Sequence, residues 1–337
     1  MTRVLNRRSL LGLMTATSTV LVAGCSATSA APAPATSPTS KPTTPPGSSP
    51  ASAAGSTPTA SGEPSPTASA STSSSPAGPQ RYTYGKGPSQ YVELTLPTGD
   101  GPFPVVVVVH GGFWQTPYGA DLGQPLAADL VTRGWATANL EYRRVGDDPE
   151  AGGGGWSTTG EDVAAAVDAL ADRGQQLAGG RLDLDRVVGL GHSAGGQLAG
   201  WLAARPGLPS SAPGANPKVR FSALIAQAGV MDLVGAAEEG VGGDAVQSLM
   251  GGSPKRRAAA YAEASPLARL PLGIPSVCVH GEADSNVPIS QSERFVAAAK
   301  KAGDISELRR FDGDHFELIT LGTPAWKLCT DAIERLI

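Results

Sequence analysis

Five consecutive valines, Val105 to Val109, follow Pro104 and run into His110. β-Branched residues suit an extended chain, and successive side chains on a strand point to opposite faces. A strand that is apolar on both faces has to be covered on both. That is the position of an inner strand in a parallel sheet flanked by helices. The remainder of the chain supplies matching parts. Strand-like runs occupy Tyr91–Leu96, Trp135–Leu140, Arg186–Leu190, Phe221–Ala226, Ser276–Val279 and Ser306–Phe311. Between and after them lie helix-like stretches at Leu122–Arg133, Glu161–Arg173, Leu198–Ala204, Gln291–Lys301 and Ala325–Ile337. This alternation predicts an α/β domain over residues 81–337, built on a doubly wound, mostly parallel sheet with right-handed crossovers. The stretch 231–274 is longer and less regular, and reads as a small cap or lid insertion beside the site.

The first 80 residues have a different character. Residues 1–24 carry Arg3, Arg7 and Arg8, no acid, and an apolar run from Leu10 diluted by Thr and Ser, the pattern of an export signal. The Arg7-Arg8 pair resembles a twin-arginine address, with general secretion as the alternative. The apolar run ends in Leu21-Val22-Ala23-Gly24-Cys25, which resembles a bacterial lipobox. Cys25 would become the lipidated first residue, and acyl chains on it would hold the protein to a membrane without a spanning helix. From Ser26 to Gln80 there are 12 prolines and no Ile, Leu, Val, Met, Phe, Trp or Tyr. Such a segment has nothing to bury and cannot offset its ordering entropy. Residues 25–80 are therefore expected to form a lipidated tether, with a reach on the order of 100 Å.

Composition excludes several classes. The net charge is −4, and loss of the three N-terminal arginines would take it to −7. No electrostatic footprint for nucleic acid is present, nor any attraction to anionic lipid beyond the anchor. Three cysteines do not make a disulfide scaffold. No metal-ligand spacing and no phosphate-cradling loop stand out, so neither metal nor cofactor is expected.

Three strand ends carry the chemistry. The first is Gly191-His192-Ser193-Ala194-Gly195, after a strand-like run and before a helix-like one. A nucleophile on a sharp strand-to-helix turn leaves no room for side chains two positions either side, and the helix N-terminus aims backbone N–H groups at a developing oxyanion. The second is His110-Gly111-Gly112-Phe113-Trp114 at the end of the valine run. Here the N–H of Gly112 or Phe113 would pair with that of Ala194 to form an oxyanion hole. The third joins Asp284, in the loop after Ser276–Val279, to His315 in Asp314-His315-Phe316, giving the chain order Ser, Asp, His. A serine needs a base to take its proton, and the base needs a carboxylate to fix its tautomer.

Only four histidines exist. His110 sits at a loop root and is expected to hydrogen-bond that loop. His192 adjoins the nucleophile and is expected to face away from it. His280 ends a buried strand, where a satisfied core histidine is expected. His315 remains as the base. Asp284 is favoured as the acid, with Glu282 and then Asp232 as competitors. Asp312 and Asp314 read as turn residues.

Taken together, His110 to Trp114, Glu141-Tyr142-Arg143-Arg144, Gly191 to Gly196, Gly281 to Pro288 and Asp314-His315-Phe316 resemble the α/β-hydrolases. The resemblance is to the esterase/lipase group with a His-Gly-Gly-x-Trp loop. That group includes carboxylesterases, kynurenine formamidase-like enzymes and relatives of the prolyl oligopeptidase catalytic domain. It implies Ser193 as nucleophile, Asp284 as orienting acid, His315 as base, and Gly112, Phe113 and Ala194 as oxyanion donors. Phe113 stands where the lipase form of the loop has a third glycine. The expected activity is hydrolysis of small carboxylic esters of short to medium acyl chain through an acyl-enzyme, with an amide substrate or a non-catalytic binding role as the alternatives. The expected location is the bacterial surface, exported and lipid-anchored.

Overall fold

The computed structural model describes residues 78–337. The export signal, Cys25 and nearly all of the 25–80 tether lie outside the described residues. Eight strands form one sheet: β1 (Gln80–Thr83), β2 (Tyr91–Thr95), β3 (Phe103–Val109), β4 (Ala136–Leu140), β5 (Leu182–His192), β6 (Ala223–Gln227), β7 (Ser276–Gly281) and β8 (Ser306–Phe311). Their order is β1-β2-β4-β3-β5-β6-β7-β8. β1 and β2 run antiparallel at one edge, and every pairing from β4 onward is parallel.

The helices are α1 (Gln124–Thr132), α2 (Thr158–Asp168), the single turn α3 (Gln175–Leu177), α4 (Ala194–Ala204), α5 (Leu233–Glu238), α6 (Ala245–Met250), α7 (Ala258–Ala264), α8 (Ser290–Ala302) and α9 (Pro324–Leu336). The valine run shows why they flank both faces. Val105, Val107 and Val109 join the core that holds Val163, Leu198 and Phe295, while Val106 and Val108 join Leu126, Leu130 and Trp326 on the other side. All five valines are buried, as a strand covered on both faces requires.

The structure revises several boundaries. A short edge strand, β1, begins at Gln80, the residue given to the end of the tether. β5 starts at Leu182, four residues ahead of the expected Arg186, and runs on to His192. α4 begins at Ala194, directly after the expected nucleophile. Helix α2 ends at Asp168, and the chain continues to Gly174 in a wider π-helical turn.

The 231–274 insertion carries α5, α6 and α7. Its Leu233, Val246, Leu249, Met250 and Tyr261 are buried in the same core as Leu198 of α4. Trp114, fully buried, donates its indole N–H to Gln197 Oε1 at 3.0 Å, and Gln197 Nε2 donates to Ala264 O at 2.9 Å. The insertion is thereby tied through α4 to the loop after β3. Cys278 and Cys329 are free thiols in the cores on opposite faces of the sheet, and burial pushes each up to about 12.

Candidate active site

β3 and β5 are neighbours, and the chain leaves them in opposite directions across the sheet. Such a switch point opens a crevice at the carboxyl ends of the strands. The His110–Trp114 loop leaves β3 there, and Ser193 sits there between β5 and α4.

Ser193 has φ 56° and ψ −120°, a strained conformation for a residue with a Cβ. The surroundings hold it firmly. Its N–H donates to Gln227 O at 2.8 Å, and its carbonyl accepts from Gly196 N at 2.9 Å and Val230 N at 3.2 Å. The flanking glycines are required by space. A Cβ at Gly195 would fall well inside contact with the Val109 and His110 carbonyl oxygens, and one at Gly191 would meet the carbonyl of Gly195. A Cβ at Gly196 would come within 2.6 Å of the Gly229 Cα.

The loop after β3 turns through three residues of positive φ: Gly112 (105°), Phe113 (55°) and Trp114 (57°). Bonds from Gln115 N to Gly112 O (3.0 Å) and from Val145 N to Trp114 O (2.8 Å) lock it. Among the described residues, the N–H groups of Gly112, Phe113 and Ala194 donate to no backbone carbonyl. Ala194 is the first residue of its helix, where an unpaired N–H is the rule. Phe113 lies against Gly242 of the insertion, and Tyr118 covers Gly112. His110 is buried and bonds within its loop root. Its Nδ1 is 2.8 Å from Gly111 O, and its Nε2 is 3.3 Å from Glu141 Oε1. Burial works against the Glu141 charge, but His110, Arg144 and the N–H of Ala120 together hold its carboxyl below the usual range. Arg143 pairs with Asp162. The Glu141–Arg144 segment is therefore internal scaffolding.

At the same carboxyl ends, beyond β7 and β8, His315 Nδ1 lies 2.6 Å from Asp284 Oδ2. Both side chains are almost wholly buried. Asp284 Oδ1 accepts from the N–H groups of Asn286 (2.9 Å) and Val287 (2.8 Å). Burial opposes the Asp284 charge, but hydrogen bonds from His280, His315 and Val287 overcome it and hold the carboxyl well below the usual range. The competing acids lie elsewhere. Glu282 is exposed beside Arg310, and Asp232 caps α5 through Gly235 N and pairs with Arg294. Asp314 accepts from Phe316 N and Glu317 N, as a turn residue does.

One histidine departs from expectation, and another gains a partner. His192 does not face away. Its Nε2 is 3.0 Å from the carbonyl oxygen of His315, and the two rings pack with centroids 4.4 Å apart. Burial, and then the nearby His315, lower its pKa to about 3. His280 is satisfied by Ser292 Oγ (2.7 Å) and Val287 O (2.9 Å), as a core histidine would be, yet its Nε2 also comes within 3.3 Å of Asp284 Oδ2. The His192 contact could not be read from spacing, because it depends on where the loop after β8 crosses the end of the sheet. Among the described residues, no cluster of histidine, cysteine or carboxylate side chains is arranged to hold a metal ion.

The family model described as BD-FAE matches residues 92–298, 207 of the 337 residues. Among curated relatives, "Probable carboxylic ester hydrolase LipM" of Mycobacterium tuberculosis is 27% identical over 207 residues, covering 58% of this chain and 44% of that protein. "Probable isoprenylcysteine alpha-carbonyl methylesterase ICMEL1" of rice (Oryza sativa subsp. japonica) is 28% identical over 245 residues, covering 68% and 55%. The chain thus spans about half the length of the curated relatives it matches. Among solved structures, the butyrate-bound esterase Est2 of Thermogutta terrifontis superposes with a TM-score of 0.59 at 22% identity, over 77% of this chain and 92% of that one. That likeness bears on the fold.

Proposed function

The chain belongs to the BD-FAE family of α/β-hydrolase esterases, and from that premise we propose that it is a serine hydrolase of carboxylic esters. The observation that carries the reading is that three elements lie at one end of the sheet, linked through His192, which runs into Ser193 and packs on His315. These are a strained serine ahead of a helix, a buried His315–Asp284 pair, and a loop with free N–H groups beside the serine. Ser193 Oγ attacks the acyl carbonyl carbon while His315 Nε2 takes the hydroxyl proton. Asp284 holds the Nδ1–H and balances the imidazolium. The N–H of Ala194, with that of Gly112 or Phe113, receives the oxyanion, each donor contributing about 10²–10³ in rate. Collapse expels the alcohol, which takes the proton from His315, and water then clears the acyl-enzyme by the same steps in reverse.

Phe113 against Gly242 and Tyr118 over Gly112 crowd the oxyanion side, which favours short to medium acyl groups. Butyrate bound to the Thermogutta esterase agrees with that size. The N-terminal sequence supports export and anchoring through lipid on Cys25, which would place the domain at the cell surface on its tether. The test is turnover of p-nitrophenyl esters from acetate to palmitate beside acyl anilides, using the full chain in detergent. Ester turnover peaking at short chains supports the reading. Preference for anilides would make the enzyme an amidase, and silence on both would leave a binding protein.

A further inference from the structure

We propose that His192 is a positioning residue that sets the base of the proposed triad through a neutral Nε2–H···O=C bond to the His315 main chain. The inference rests on the serine-hydrolase reading. Three parts of the site meet at this ring. Its backbone continues directly into Ser193. Its Nδ1 edge lies along the oxyanion loop, so that a Cβ added at Gly111 would come 3.0 Å from Nδ1 and 2.9 Å from the His192 carbonyl oxygen. Its Nε2 edge meets the His315 carbonyl at 3.0 Å. A carbonyl oxygen only accepts, so Nε2 carries the proton and the neutral ring has Nδ1 bare. The ring also packs against the His315 imidazole, tilted by 48°.

Asp284 holds only one edge of His315. The other determinants of where its Nε2 points are the backbone of residue 315, held by His192, and what the ring leans on, which is His192 on one side and the Phe316 ring edge to face at 5.3 Å. The groups facing His192 are His315, with Asp284 and His280 behind it, so a positive charge on this ring would repel the imidazolium that forms in the reaction. Burial keeps the ring uncharged through the working pH range. A neutral donor in this place orients the base without opposing its charging. A misplacement of about 1 Å in such an arrangement costs about 10²-fold in rate.

The experiment compares His192→Leu, His192→Gln and His192→Asn with wild type and Ser193→Ala, all as full chains in detergent, after circular dichroism confirms folding. Steady-state turnover of p-nitrophenyl acetate and the second-order rate of fluorophosphonate inactivation are read together. A glutamine amide reaches the Nε2 position, whereas the shorter asparagine amide reaches only that of Nδ1. The expected result is a fall in kcat of about 10²-fold for the leucine variant, with KM little changed. Inactivation slows in parallel, glutamine restores most of the loss, and asparagine does not. Folded leucine protein with wild-type kcat overturns the proposal, as does glutamine no better than asparagine. If the leucine variant does not fold, the glutamine–asparagine pair decides alone. Ser193→Ala separates the two claims. If it abolishes turnover while all His192 variants are unaffected, only the positioning role fails. If it is as active as wild type, the serine-hydrolase reading itself fails.

Discussion

Replacing Asp284 by asparagine tests the proposed triad through a consequence of its hydrogen bonding. The two oxygens of Asp284 have different partners. Oδ1 accepts from two backbone N–H groups, of Asn286 and Val287, and Oδ2 accepts from His315 Nδ1 at 2.6 Å, with His280 Nε2 more distant at 3.3 Å. An amide has one accepting oxygen and one donating nitrogen. Turned with its nitrogen toward Asn286 and Val287, it would set a donor against two donors, leaving buried N–H groups unpaired at about 1–3 kcal/mol each. The oxygen therefore stays with the backbone, and the NH₂ faces His315 Nδ1. Nδ1 must then be the bare nitrogen and Nε2 the protonated one, which cannot accept a proton from Ser193. The wrong tautomer in such a triad lowers kcat about 10⁴-fold, or about 5 kcal/mol of transition-state stabilisation. The assay is p-nitrophenyl acetate hydrolysis at mildly alkaline pH, with Glu282→Gln as a control expected to be unchanged because Glu282 is exposed beside Arg310. Asp284→Asn retaining turnover within tenfold of wild type would refute the tautomer argument and the place of Asp284 in the triad.

Gly195→Ala is expected to lose nearly all esterase activity and to lower the melting temperature, because its methyl group has no space against the Val109 and His110 carbonyls. Normal activity in the alanine variant would contradict the packing described for this turn. Acid should weaken the fold through His192. Its pKa is near 3 in the folded protein and near 6.5 unfolded, so the unfolded chain binds a proton that the native state excludes. That stability is whole above pH ~6.5 and is lost as pH falls toward ~3, with a slope of at most about 1.4 kcal/mol per pH unit. Denaturant midpoints measured across that range should fall less steeply for His192→Gln. Cys25→Ala should move the full chain from the detergent phase to the aqueous phase in a cloud-point partition, and partitioning unchanged by the substitution would remove the lipid anchor.

The parts of this molecule that repeat a local pattern were legible in the sequence. Val105–Val109 announced an inner strand, and the pairing of Asp284 with His315 was expected from their places after two late strands. β1 was missed because only Tyr82 of its four residues is buried, so it has almost no apolar signal. The start of β5 was missed because Asp183 and Asp185 interrupt it, and aspartate is depleted in strands. The first turn of α4 was hidden by Gly195 and Gly196, which are poor helix formers placed there for close approach to β3 and to Gly229. The neighbour of His192 was not legible at all. His192 meets a carbonyl 123 positions along the chain, and no local pattern encodes where that loop crosses the strand ends.

Fluorophosphonate labelling of the full chain, read by intact mass and peptide mapping, tests the central claim most directly. The account predicts one adduct per chain, carried by Ser193, with ester hydrolysis lost in step with labelling and both absent in Ser193→Ala. A folded chain that hydrolyses esters while Ser193 stays unmodified, or whose Ser193→Ala variant retains the activity, would contradict it.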